Sequence, residues 1–282
     1  MARFTRKIFF PCLGILLCIL SCLPAFLLLA GSITGKRELA VSLTGVFREQ
    51  GVSCVPLFPA FPTLRGYLEV LFDTPEFYVV FFNSVKLAVS IIAGQLLACV
   101  PAALGFSRWH GKVSSLLFYL YTILMLLPFQ VTMLPNYIVA DRLGLMDTHN
   151  AIVLPAVFST FPVFLVYRYF TGIPEEIFEA YSLDSSSRFG LFWHIGLPLA
   201  LPGIKAAALL GVIEYWNLIE QPLLFLKTPS LWPFSIALPE VWEGNVQYVF
   251  VFSFLVLVPV CLAAAAGREE LQKGIGAIVR KE

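Results

Sequence analysis

The chain has 282 residues, 59% of them hydrophobic and only 13% charged, with a mean hydropathy of +0.83. Soluble domains are roughly 45–50% apolar, so this composition excludes an ordinary water-soluble fold. The formal net charge of +1, with no basic stripe interleaved with aromatic residues, gives no reason to expect a nucleic-acid partner.

A helix that crosses the hydrocarbon core needs about 20 apolar residues, because lipid offers no partner to backbone N–H and C=O groups. Six stretches reach that length: 8–30, 77–106, 113–139, 151–170, 197–226 and 248–266. The expected fold is all-α, a polytopic membrane bundle of six transmembrane helices in a single domain over residues 1–282. Pro24, Pro101, Pro128, Pro135, Pro155, Pro162, Pro202 and Pro259 interrupt the stretches. In water an interior proline costs about 3 kcal/mol, but membrane helices tolerate it where neighbours satisfy the freed groups.

The first stretch follows MARFTRKIFF, which has the charged start of a signal peptide, and Leu20-Ser21-Cys22 resembles a lipid-attachment site. Its apolar run is longer than the roughly 7–15 residues of a signal core, so an uncleaved helix is expected. Residues 33–76 form a loop, where Gly31-Ser32-Ile33-Thr34-Gly35-Lys36-Arg37 faintly resembles a phosphate loop. That match fails, because three residues separate the glycines instead of four and Arg37 replaces the required Ser or Thr.

Cys12, Cys18, Cys22, Cys99 and Cys261 lie in apolar stretches and are expected to be small core residues, while Cys54 stands alone in the loop. No CxxC pair exists, and His110, His149 and His194 are dispersed, so neither a metal site nor any other cofactor is expected. No GxSxG, HExxH or GxGxxG occurs either, so no catalytic residue is expected. If transport here uses ATP, another chain must hydrolyse it.

With the N-terminus inside, Arg3, Arg6, Lys7, Arg108, Lys112, Arg168, Arg188, Lys205, Arg268, Lys273, Arg280 and Lys281 fall on the inner side. The positive-inside bias therefore places both termini in the cytoplasm of a plasma membrane, with loop 33–76 outside. It also puts residues 171–196 at the cytoplasmic surface. There Pro174 suits a first helical position, Glu175 and Glu176 suit the positive end of the helix dipole, and Ile177, Phe178 and Tyr181 form an apolar side. A short helix over about 174–183 is expected, then a turn at Asp184-Ser185-Ser186-Ser187 and a second aromatic-rich turn with Phe189, Phe192 and Trp193 before Pro198. Periodicity alone allows two readings, an interfacial anchor or a rigid knob that docks on a cytosolic partner.

Glu179-Ala180-x-x-x-Asp184, followed by Ile195-x-Leu197-Pro198-x-x-x-Pro202, resembles the EAA motif in the inner-membrane permeases of bacterial ATP-binding-cassette importers. Phe82-Asn83-Ser84, Trp216-Asn217 with Pro222, and Gln272-Lys273-Gly274 are similar to the carbohydrate-uptake branch, and within it to the shorter partner of the maltose-type pair. The resemblance covers the chain from about Tyr67 onward and is weaker over residues 33–66. It implies that residues 171–196 form the coupling helix, with Glu179, Ala180, Asp184, Ser185, Ser186, Arg188, Phe189, Phe192 and Pro198 meeting the ATPase. It also implies a second permease subunit, two cytosolic ATPase subunits and an extracytoplasmic solute-binding protein that delivers a sugar or oligosaccharide. The family usually has Gly-Ala after the motif's Asp, where this chain has Ser185-Ser186, and Ser in a turn that needs positive φ carries a Cβ cost.

Charged and amide groups inside an apolar stretch are costly and usually face a cavity or a partner. Glu214, Tyr215, Trp216, Asn217 and Glu220 in the fifth stretch, with Asn83 and Asn136, are therefore candidates for a sugar pathway: aromatic faces stack on C–H faces and carboxylates or amides bond hydroxyls. Contact with the second permease subunit is the competing reading for Glu214 and Glu220, and Asn83 and Asn136 could equally cap or bridge helices. A permease for polyamine or glycerol phosphate, and a self-sufficient secondary transporter, stand as alternatives; the latter would show inverted repeats and paired intramembrane charges.

Overall fold

The computed structural model describes residues 2–43, 56–109, 111–184, 187–241 and 246–270, and no strand occurs among them. In chain order the helices are α1 (Ala2–Ile33), α2 (Lys36–Ser42), α3 (Arg65–Leu68), α4 (Pro75–Arg108), α5 (Lys112–Met125), α6 (Phe129–Arg142), α7 (Asn150–Val157) and α8 (Thr160–Phe170). They continue as α9 (Glu175–Asp184), α10 (Arg188–Leu191), α11 (Leu197–Trp216), α12 (Glu220–Phe225), α13 (Phe234–Val241) and α14 (Val246–Ala266). Five of these segments are long and apolar enough to cross a membrane, and a sixth if α5 and α6 count as one bent span. The chain is thus an all-α membrane protein. It divides into two compact units, residues 1–79 with 237–259, and residues 80–236 with 260–282.

In the first unit, α1 exposes Phe10, Ile15, Leu16, Ile19 and Leu20, as a helix facing lipid does. Its C-terminal end is buried and polar: Ser32 Oγ lies 2.6 Å from Tyr67 Oη, and Gln247 Nε2 donates to the Thr34 carbonyl at 2.9 Å. A five-residue π-helical segment, Glu69–Asp73, follows α3. Glu69 there accepts from Lys36 Nζ at 2.5 Å, Arg65 Nε at 2.7 Å and Tyr248 Oη at 2.9 Å. The hydrogen bond from Lys36, aided by those from Tyr248 and Arg65, holds the Glu69 carboxyl down at about 2. Arg65 stands at i,i+4 spacing from Glu69, whereas Lys36 and Tyr248 come from segments distant in sequence and are not visible from spacing.

Helix α4 begins in the first unit, with Pro75 at its first position and Glu76 in its first turn, and ends in the second with Arg108, which complements the helix dipole at both ends. Cys99, Val100 and Ala103 of α4 pack with Val163, Leu165, Val166 and Phe170 of α8 and with Ala200, Ile204, Ala206 and Ala207 of α11. Small side chains dominate the α11 face because lipid supplies no hydrophobic drive between helices, so close approach and dispersion must hold them. A Cβ added at Gly203 would lie 3.0 Å from Tyr169 Cβ, so glycine sets the approach of α11 to α8. A second cluster joins Leu87, Ala88 and Ile91 of α4 to Ala140, Ile152, Ala156, Tyr215 and Phe225.

The cysteine expectation needs correction. Among the described residues only Cys99 is buried, while Cys12, Cys18, Cys22 and Cys261 lie on exposed faces of α1 and α14. Apolar helix faces in a membrane protein need not be core faces, which composition alone does not separate. Cys54 and His110 lie outside the described residues.

Three helix breaks shape the second unit. The stretch 113–139, expected as one span, is two helices meeting at 103°. Pro128 has no N–H to offer and disfavours helical geometry at Leu127, and α6 restarts with Pro128 as its N-cap. The stretch 151–170 is interrupted between α7 and α8, with Ser159 as N-cap and Pro162 in the first turn of α8, where its missing N–H costs nothing. The stretch 197–226 stops at Trp216 and restarts at Glu220.

The turn after α6 follows a Schellman pattern, with Gly144 at φ 66° and Leu145 N donating to the Ala140 carbonyl at 2.9 Å. Asp147, at φ 58°, then accepts from Lys227 N at 2.7 Å and Thr228 N at 2.9 Å, and its own N–H donates to the Phe225 carbonyl at 2.9 Å. The hydroxyl of Thr228, followed by the two backbone N–H donors, holds the Asp147 carboxyl below its ordinary range.

Candidate functional site

The three breaks converge on one cavity of about 720 Å³. Met125, Phe129, Thr132 and Asn136 come from the α5–α6 bend, Ala156, Ser159 and Thr160 from the α7–α8 break, and Glu214, Tyr215, Asn217, Glu220 and Gln221 from the α11–α12 break. Non-helical backbone at membrane depth is tolerated only where protein or a water-filled space satisfies it, so the breaks and the cavity explain one another.

The wall mixes apolar side chains, among them Leu124, Phe129, Phe158 and Phe161, with polar groups of lopsided charge. Glu220 Oε1 accepts from Gln130 Nε2 at 3.3 Å. Glu214 is exposed and has no hydrogen-bond or ion-pair partner among the described residues. Gln221 Oε1 is a buried acceptor without a donor among the described residues. Among the described residues, no Lys, Arg or His lines the cavity. Such a wall can stack on an apolar face and accept hydrogen bonds from hydroxyl groups.

Of the residues expected to line a pathway, Asn136, Glu214, Tyr215, Asn217 and Glu220 come together here. Two do not. Asn83 Nδ2 donates to the carbonyls of Ser230 and Trp232 at 2.9 and 3.0 Å, tying α4 to the segment before α13. Trp216 is buried, its ring 5.7 Å from that of Phe81 in edge-on contact, because one residue along a helix turns the side chain about 100° away from Tyr215. Sequence reasoning missed Gln95, which is buried in α4 and donates to Tyr215 Oη at 2.7 Å and the Ala156 carbonyl at 2.8 Å. An amide in the middle of an apolar run was the available signal.

The second feature is the α9–α10 pair. Phe178 is buried, with the Arg108 guanidinium 4.0 Å over its ring and Arg108 Nη1 3.5 Å from Glu175 Oε1. This fastens α9 to the end of α4. Ser187 caps α10 by accepting from Gly190 N at 3.1 Å. A π-helical turn, Phe192–Gly196, then leads into Pro198 and α11, so α10 runs on without a break into the cavity-lining helix. Glu179, Ala180, Asp184, Arg188, Phe189 and Pro198 are exposed, and Phe192 is half-buried. Ser185 and Ser186 lie outside the described residues, as does Gln272-Lys273-Gly274. Beside Arg108 and Phe178 a groove of about 520 Å³ opens, lined also by Glu179, Ser182 and Leu183. Leu183 and Phe189 are 89% and 73% exposed.

The chain is similar to known proteins over most of its length. It is 27% identical over 207 residues to the arabinooligosaccharides transport system permease protein AraQ of Halalkalibacterium halodurans, spanning 72% of this chain and 74% of that one. It is 32% identical over 219 residues to protein LplC of Bacillus subtilis, spanning 78% and 70%. Its fold matches a chain in the crystal structure of a bacterial ABC transporter involved in the import of the acidic polysaccharide alginate. The TM-score is 0.80, with 20% identity, over 95% of this chain and 96% of that one. Residues 90–268, which hold the helix breaks, the cavity and the α9–α10 pair, match the family described as binding-protein-dependent transport system inner membrane component. The chain belongs to that family and is a multi-pass inner-membrane permease of the ATP-binding-cassette importer class.

Proposed function

We propose that this permease forms half of the translocation pathway for a sugar or oligosaccharide and couples passage to ATP hydrolysis on a separate cytosolic subunit. The observation that carries the reading is the cavity at the three helix breaks. Asn136, Asn217, Tyr215, Glu214 and Glu220 supply amides, a phenol and carboxylates around about 720 Å³, the chemistry that holds a polyol. The arabino-oligosaccharide role in the name of the AraQ relative supports the same cargo class.

The working assembly contains this chain, a distinct second permease, two cytosolic ATPase subunits and an extracytoplasmic binding protein that presents the cargo. Both termini lie in the cytoplasm, as the Lys and Arg distribution favours. The α9–α10 pair docks on the ATPase through Glu179, Ala180, Asp184, Ser185, Ser186, Arg188, Phe189 and the neighbouring Phe192 and Pro198. Closure and opening of the ATPase then move α11, which carries Glu214 and Tyr215 into the cavity wall. No step of this cycle asks a cofactor of this chain.

Affinity purification through a tag on this chain, in mild detergent, tests the assembly. An ATPase and a second, different permease are expected to copurify. Recovery of this chain alone, able to carry solute in liposomes without ATP, would instead support a self-sufficient secondary transporter.

A further inference from the structure

We infer that the cavity passes uncharged saccharides and turns away acidic ones, with Glu214 as the charge filter. The inference rests on the sugar-pathway reading above and adds the class of sugar. A neutral sugar brings hydroxyl donors, and the wall offers an excess of acceptors: the Glu214 and Glu220 carboxylates and the carbonyl arms of Asn136 and Asn217. A uronate or phosphate brings acceptors and negative charge to the same wall. Among the described residues of this chain it finds no Lys, Arg or His lining the cavity to receive it.

Glu214 and Glu220 differ in how free they are. Glu220 is engaged by Gln130, whereas Glu214 has no ion-pair or hydrogen-bond partner among the described residues and stands exposed on the wall. At about 6 Å and an effective dielectric constant of about 20, one carboxylate disfavours another about a hundredfold. The solved transporter of similar fold imports an acidic polysaccharide, so this fold does not itself forbid anionic cargo. The filter therefore lies in the side chains of this cavity.

The test uses the copurified complex carrying Thr132→Cys on the cavity wall, compared with the same complex lacking that cysteine. The probes are anionic sulfonatoethyl and cationic trimethylammonioethyl methanethiosulfonate, with arabinotriose or trigalacturonate at equal concentration as protectants. Relative to their rates on free cysteine, the cationic reagent should react about tenfold or more faster than the anionic one. Adding Glu214→Gln should bring that ratio close to one, and arabinotriose, not trigalacturonate, should slow modification in the complex with Glu214 intact. Equal rates for the two reagents, a ratio unmoved by Glu214→Gln, or protection by trigalacturonate would overturn the filter while protection by arabinotriose leaves the sugar pathway standing. Protection by neither saccharide would overturn the sugar pathway and the filter together.

Discussion

Gln95 donates one amide hydrogen to the Tyr215 hydroxyl at 2.7 Å and the other to the Ala156 carbonyl at 2.8 Å, so a single buried side chain ties α4 to two walls of the cavity. Interhelical hydrogen bonds in membranes contribute about 0.6 kcal/mol on average and at most about 1.7. Gln95→Leu is therefore expected to lower stability by about 1 kcal/mol and to weaken cargo affinity, because Tyr215 loses its anchor. Fluorescence-monitored melting of the complex together with concentration-dependent uptake checks this. An unchanged melting temperature and affinity would show that the bridge does not position Tyr215.

Close packing at Gly203 makes a separate claim. Gly203→Val would drive a branched side chain into Tyr169, whose Cβ is held by α8 and cannot swing aside. Overpacking of this kind costs about 1–3 kcal/mol. The variant should reach the membrane at reduced yield and melt earlier, which quantitative blotting of membranes and thermal denaturation measure; Gly203→Ala should show the same direction at smaller size.

Acid sensitivity should centre on Glu69. Its folded carboxyl titrates near 2, against an ordinary value of 4.5, so the folded state binds the proton less readily than the unfolded state. The stabilisation is fully present above about 4.5 and is lost as pH falls from there through about 2. Glu69→Gln should remove about 1 kcal/mol near neutral pH, after allowance for solvent screening, and flatten the fall in melting temperature below pH 4.5. Melting curves of the two proteins across that range should converge toward acid; parallel curves would assign the stabilisation elsewhere.

Docking by the α9–α10 pair predicts uncoupling without loss of insertion. Glu179→Arg and Asp184→Arg should cut ATP-driven uptake about tenfold or more, while membrane abundance stays close to that of the parent chain and ATP hydrolysis persists. Parallel assays of uptake, hydrolysis and membrane content separate these effects. Parent-level uptake with both changes present would exclude the pair as the coupling element.

Much of this organisation is legible in the sequence because it rests on length and polarity. Apolar stretches of about twenty residues mark where the chain can cross a membrane, and Glu175-Glu176 with Asp184 mark the ends of α9 through local dipole and turn chemistry. The cavity was half legible: intramembrane Glu214, Asn217 and Glu220 announced a polar surface, but Trp216 between them turns to Phe81. The 103° bend was not legible, since Pro128 reads the same in a kinked span and in two separate helices, and only packing decides. Gln95 and Glu69 were missed because their roles come from partners distant in sequence, 61 and 120 residues away for Gln95 and 179 for the Tyr248 bond to Glu69.

The most direct measurement is saccharide uptake into liposomes that contain the complex purified through this chain, with the binding protein outside and ATP inside. The account predicts accumulation of a neutral oligosaccharide that requires ATP, ceases when the ATPase is stripped away and falls sharply with Glu214 and Asn217 both replaced by Leu. Uptake that continues without ATP, or that is indifferent to those two substitutions, would contradict it.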